Sequence, residues 1–130
     1  AVLMALASVK KRNKVVTSEA IHPQYREILQ SYLKNIDAEF VVVPASESGT
    51  SEAIIDEIDD QTACVLIQHP NFYGRLEQVK EIADAAHERG ALVIQSFDPI
   101  SLGLLKRPGD LGVDIESLPP AINLFEFFRE

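Results

Sequence analysis

Cysteine occurs once, at Cys64, and tryptophan not at all. A lone cysteine excludes an internal disulfide framework and fits a reducing, cytoplasmic compartment. Cys64 lies inside an apolar run, which makes it a core residue, not a nucleophile. Cations are scarce: 12 Lys and Arg stand against 20 Asp and Glu, a formal net charge of -8. Phosphate binding needs a basic face, so the balance argues against a nucleic-acid partner. The one basic cluster, Lys10-Lys11-Arg12 with Lys14, is short and sits at an expected helix end, where it complements the helix dipole. No apolar run approaches the ~20 residues of a membrane span. The opening Ala1-Val2-Leu3-Met4-Ala5-Leu6-Ala7 has no basic stretch ahead of it, so it does not read as a signal peptide. HExxH, CxxC and histidine clusters with metal spacing are missing, and no metal site is expected. There is no GxGxxG and no Walker A loop; Gly103, Gly109 and Gly112 lack the strand–loop–helix setting those motifs require.

What is present is organised around residues 63–99. A buried strand, Ala63-Cys64-Val65-Leu66-Ile67-Gln68, runs into a loop, His69-Pro70-Asn71-Phe72-Tyr73-Gly74. An amphipathic helix over 76–89 stops at Gly90, and a second buried strand, 91–97, ends on Asp98-Pro99. This is a βαβ unit, and its right-handed crossover makes the strands parallel. Ligands of such sheets sit beyond the carboxyl ends of the strands, where Asn71 and Asp98 both fall.

The rest of the chain repeats that alternation. Residues 1–9 read as a helix with no capping residue at its start, so a longer natural sequence upstream is expected. Lys14-Val15-Val16-Thr17 is a strand. Pro23 opens a helix to about Asn35, placed where its missing N–H costs nothing. Tyr25, Ile28, Leu29, Tyr32, Leu33 and Ile36 share one face and are expected in the core. A strand at 39–43 stops at Pro44, and Ser51 is expected to cap a helix over 52–58. Asp59 and Asp60 lie in a turn and carry little metal signal. After Asp98 come a short apolar turn at 100–105, a polar loop at 106–112 and the start of a strand at 113–115. The order predicts an α/β fold, a parallel sheet flanked by helices in three αβα layers. Residues 116–130, with two prolines and three phenylalanines, break the pattern; an apolar end of this kind must dock or become an aggregation liability.

Three residues carry chemical interest. Asp98 ends a buried strand, where a carboxylate wants a partner; that partner is a cationic ring nitrogen or the backbone N–H groups of the next turn. Asn71 either faces the same crevice or bonds its own loop, as asparagine after proline usually does. His22 offers a flat ring for stacking, or serves helix entry. His69 shows no ligand signal. His87 is a half-buried or dipole-facing histidine near a helix end.

These residues also carry a resemblance. Gln68-His69-Pro70-Asn71-Phe72-Tyr73-Gly74-Arg75-Leu76-Glu77 resembles the QxPNFxGxxE loop of the glycine cleavage system P-proteins, in their first (alpha) subunit. The stretches 82–92, 98–115 and His22-Pro23-Gln24-Tyr25-Arg26 are similar to further segments of that family, in the same order, so the resemblance covers 1–115. It implies part of the large domain of a fold-type I pyridoxal phosphate enzyme, with 116–130 an atypical tail. It implies glycine decarboxylation and transfer of the aminomethyl group to the lipoyl arm of the H-protein. The expected partners are the second glycine dehydrogenase subunit and the H-protein, in an oligomer. By position, Asp98 would face the pyridinium nitrogen, Asn71 the phenolic oxygen and His22 the ring. The chain departs from the family in having no lysine after Lys106 to anchor the cofactor. Lys106 itself is too near Asp98 to serve. The family places the lysine in the second subunit, so this chain alone is expected to be inactive, with no catalytic residue of its own. Two other readings stand beside this one: a non-catalytic subunit-interaction module, and a fragment of another fold-type I enzyme such as a cysteine desulfurase-like protein.

Overall fold

Among the described residues, five strands form one parallel sheet with helices on both faces. The computed structural model describes residues 1–45 and 49–118. In chain order the elements are α1 (Val2–Ser8), β1 (Lys14–Ser18), α2 (Pro23–Leu33), β2 (Glu39–Val43), α3 (Ser51–Glu57), β3 (Thr62–Gln68), α4 (Val79–Glu88), β4 (Leu92–Ser96) and β5 (Ile115–Ser117). Two 3-10 turns, Pro99–Gly103 and Pro108–Leu111, lie between β4 and β5. The expected parallel αβα sandwich is therefore what the chain forms. The expectations for the proline- and phenylalanine-rich end lie outside the described residues beyond Leu118; Glu116 and Ser117 belong to β5.

Alternation along each strand divides the core in two. Val16, Val65, Ile67 and Val93 point to one face and pack with Ile54 of α3, Ile58 at its end, and Ile82, Ala83 and Ala86 of α4. Val15, Cys64, Leu66 and Ile94 point to the other and pack with Val2 and Ala5 of α1 and Leu33 of α2. Both faces are buried, so β3 reads as a near-continuous apolar run, as central parallel strands do.

Several boundaries depart from expectation, each for a tertiary reason. The helix expected over 76–89 begins only at Val79, because the backbone N–H groups of Glu77 and Gln78 are taken by the side chains of His69 and Ser51. The strand expected from Val113 begins at Ile115: the Asp114 backbone N–H bonds the Val93 carbonyl, and its carboxylate accepts from the Val93 N–H at 2.8 Å. Ser51 is the first helical residue of α3, not its cap. The basic cluster does not serve α1, whose last turn holds no basic residue. Arg12 instead reaches across to the carbonyls of Arg89, at the end of α4, and of Thr62. The α2 face is the largest departure. Leu33 is buried, Tyr25 and Leu29 are half-buried, but Ile28, Tyr32 and Ile36 are 49%, 63% and 43% exposed. The stripe is wider than its contact with the sheet, and no other described element covers the outer part.

Candidate functional site

The chain steps from β1 outward to β2, then returns past β1 to β3, β4 and β5. The strand order thus reverses between β1 and β3, and crevices open at the carboxyl ends of such a pair. Residues from both loops meet there. His22 is the N-cap of α2: its Nδ1 accepts the Gln24 N–H at 3.2 Å, and Pro23 follows it. Its own backbone N–H donates to Gln68 Oε1 at 2.9 Å, which stitches the end of β3 to the start of α2. The imidazole is half-buried, 5.1 Å from the Tyr25 ring and 5.0 Å from Phe72, which meets it nearly edge-on. Edge-to-face pairs of this kind are favoured by the ring quadrupoles.

The loop after β3 is built on Asn71, which is 6% exposed. Its Oδ1 accepts the N–H groups of Tyr73 and Arg75, each at 3.0 Å, and its Nδ2 donates to Glu77 Oε1 at 2.8 Å. The second amide hydrogen meets no acceptor among the described residues. Gly74 closes the turn at φ +77°, a left-handed conformation that glycine adopts without strain. The Phe72 N–H donates to the Ala20 carbonyl at 2.7 Å, so this loop is tied to the one that carries His22. Glu77 is buried with it: Oε1 also accepts the Thr50 hydroxyl and Oε2 the Ser51 hydroxyl, both at 2.7 Å. The backbone N–H of Glu77 donates to His69 Nδ1 at 3.1 Å. Burial pushes the His69 pKa down, and the Glu77 charge counters this only in part. His69 is therefore held neutral with Nδ1 bare.

Asp98 stands at the end of the next strand, exposed. Its Oδ1 caps the following 3-10 turn by accepting the Ile100 N–H at 2.9 Å, while its carbonyl accepts the Ser101 hydroxyl at 2.6 Å. His22, Asn71 and Asp98 thus share the carboxyl edge of the sheet. The structure joins the first two through Phe72, and among the described residues no hydrogen bond joins Asp98 to either. A hollow of roughly 230 Å³ opens nearby, lined by Val2, Tyr25, Leu29, Leu66, Ser96 and Leu118 among others. His87 lies elsewhere: its Nε2 is 2.9 Å from Asp114 Oδ2. Asp59 and Asp60 pair with Lys14 and Arg89, and no cluster able to hold a metal occurs among the described residues.

Sequence reasoning missed His69, Thr50, Ser51 and Glu77. The signal was faint: Glu77 closes the QxPNFxGxxE pattern, but its hydroxyl partners are 26 and 27 residues away.

A family model for the glycine cleavage system P-protein matches residues 1–117. The chain belongs to that family. It is 44% identical over 106 residues to a probable glycine dehydrogenase (decarboxylating) subunit 1 of Desulfitobacterium hafniense, covering 81% of this chain and 24% of that protein. The counterpart in Citrifermentans bemidjiense is 45% identical over 116 residues, 88% of this chain and 26% of that one. A crystal structure of glycine decarboxylase (P-protein) of the glycine cleavage system, in inhibitor-bound form, superposes with TM-score 0.79 at 36% identity over 94% of this chain and 29% of that chain. Cystathionine gamma-lyase from Lactobacillus plantarum, at 17% identity and TM-score 0.71 over 90% of this chain and 30% of that one, shares the fold. This P-protein segment therefore spans about a quarter of the length of the curated relatives it matches.

Proposed function

We propose that the segment forms part of the large domain of subunit 1 of glycine dehydrogenase (decarboxylating). In this reading the whole protein acts with a second subunit to decarboxylate glycine and pass the aminomethyl group to the lipoyl arm of an H-protein, in the cytoplasm. The observation that carries it is the Pro70–Glu77 loop: a family motif folded as a rigid unit against His22, at the edge where the strand order reverses.

The donor set agrees in part with pyridoxal phosphate. When bound, that group supplies an electron sink for the carbanion left as carbon dioxide departs. The second carboxylate oxygen of Asp98 accepts no bond among the described residues, so it is available to hold a ring N–H and keep it protonated. The half-buried imidazole of His22, its Nδ1 already engaged, offers a flat surface for stacking. Asn71 offers one amide hydrogen to a phenolic oxygen; the rest of its side chain holds the loop. Within residues 1–130 no lysine follows Lys106, and Lys106 is exposed. The remainder of the assembly must supply that amine.

Glycine-dependent release of carbon dioxide by the full-length subunit, assembled with its second subunit, H-protein and cofactor, tests the reading. Asp98→Asn in that assembly should lower turnover at least tenfold, since a neutral amide no longer favours a protonated ring. Wild-type turnover by Asp98→Asn would remove Asp98 from the site. The exposed α2 face favours one further role, a surface for subunit contact, because Ile28 and Tyr32 lie uncovered along it.

A further inference from the structure

We propose that Glu77 is a positioning residue for this site, acting through Asn71 and Phe72 on the ring of His22. The inference rests on the reading of the β1–β3 edge as the ligand site. A carboxylate is costly to bury, and one that accepts three hydrogen bonds from side chains is a fixed point of the structure. Glu77 accepts from the Thr50 and Ser51 hydroxyls and from Asn71 Nδ2. Ser51 in turn accepts the Gln78 N–H at 2.9 Å, and His69 accepts the N–H of Glu77 itself. Thr50 stands at the N-cap of α3 and Ser51 is its first residue, yet neither hydroxyl caps the helix; both are directed at Glu77. The start of α3, the end of β3 and the start of α4 are thereby joined at one carboxylate.

The consequence travels along a short path. With Nδ2 turned to Glu77, the Asn71 amide must present Oδ1 to the loop, where it collects the N–H groups of Tyr73 and Arg75. Those bonds shape the turn that brings the Phe72 N–H onto the Ala20 carbonyl and its ring edge-on to His22. An amide side chain at position 77 offers one acceptor oxygen in place of two. At least one of the three donors then loses its acceptor, and the bond from Asn71 is no longer charge-assisted, so the hold on its amide weakens.

The test reads the His22 ring in the full-length subunit by NMR with isotope-labelled histidine and phenylalanine, with no cofactor or turnover involved. Glu77→Gln should remove the His22–Phe72 cross-peaks and move the His22 ring protons toward the positions of a solvent-exposed histidine. Thr50→Val with Ser51→Ala leaves Glu77 in place, removes two of its donors and should shift the same resonances in the same direction. If Glu77→Gln does not fold, the double variant decides. A folded variant whose melting temperature falls while its His22 resonances and cross-peaks stay at their wild-type positions overturns the proposal, since Glu77 would then be a stabilising residue only. The readout is independent of glycine turnover: an inactive wild-type assembly would remove the proposed function and leave the result on Glu77 standing.

Discussion

Single side chains in this chain are set by burial and by their few partners. Cys64 lies in the centre of β3, and burial pushes its thiol up to about 12. At pH 8 it is almost wholly a thiol, so labelling by a disulfide reagent should proceed only as fast as the chain opens; rapid native-state labelling would contradict the packing. Lys14 is also buried. Burial pulls its pKa down, but hydrogen bonds to Asp59 and Glu57 outweigh that and the net shift is upward. The Lys14 bond in turn holds Asp59 below the usual carboxylate range. Both partners are part-exposed, so Glu57→Gln with Asp59→Asn should cost about 2 kcal/mol in urea unfolding, less than breaking a fully buried pair. Gln95 makes the opposite case. Its Oε1 is buried and accepts no hydrogen bond among the described residues. Gln95→Met should therefore raise stability by about 1 kcal/mol, and a loss of stability would reveal a partner.

Segments respond to conditions that these side chains sense. The loop over 69–78 needs a neutral His69, whose pKa is lowered on folding. Between the lowered value and the ordinary ~6.5, the unfolded chain binds more protons, so stability rises with pH there. The contribution is complete above about pH 6.5 and is lost as pH falls through that window. The urea midpoint should drop between pH 7.5 and 5.5 in the wild type by more than in His69→Gln; parallel curves would show that His69 is not the sensor. The crossing from the second 3-10 turn into β5 depends on Gly112. It sits at φ +87°, and a Cβ there would lie 3.3 Å from the Ala83 Cβ of α4. Gly112→Ala should destabilise by roughly 1–2 kcal/mol, checked by thermal melting.

The assembled sheet leaves an uncovered flank. Ile28, Tyr32 and Ile36 on or beside α2, and Leu3 and Met4 on α1, are each between 43% and 63% exposed. Ile28, Tyr32 and Ile36 recur at a helical spacing of four, and an exposed apolar stripe of this kind marks a contact surface. The 130-residue chain should therefore self-associate with rising concentration in gel filtration, and Ile28→Ser with Tyr32→Ser should suppress this. A wild-type chain that stays monomeric at high concentration would argue against a contact role for that flank.

Local order was legible from residue patterns alone. Apolar runs bounded by proline, glycine and asparagine located the strands, and their alternation with helices implied the parallel sheet, because a βαβ crossover admits one hand. Motif order at 68–77 and 98–115 pointed to the P-protein family. Folding decided the rest. The β5 start and the roles of Thr50, Ser51 and Arg12 depend on partners 21 to 77 residues away, and the α4 start rests in part on Ser51, 27 residues before Gln78. A hydrogen bond across such a separation leaves no period in the sequence, since the partner's position is fixed by strand order. The same reason explains α2: its apolar stripe records what the helix can bury, and only the packed sheet shows how much of it finds cover.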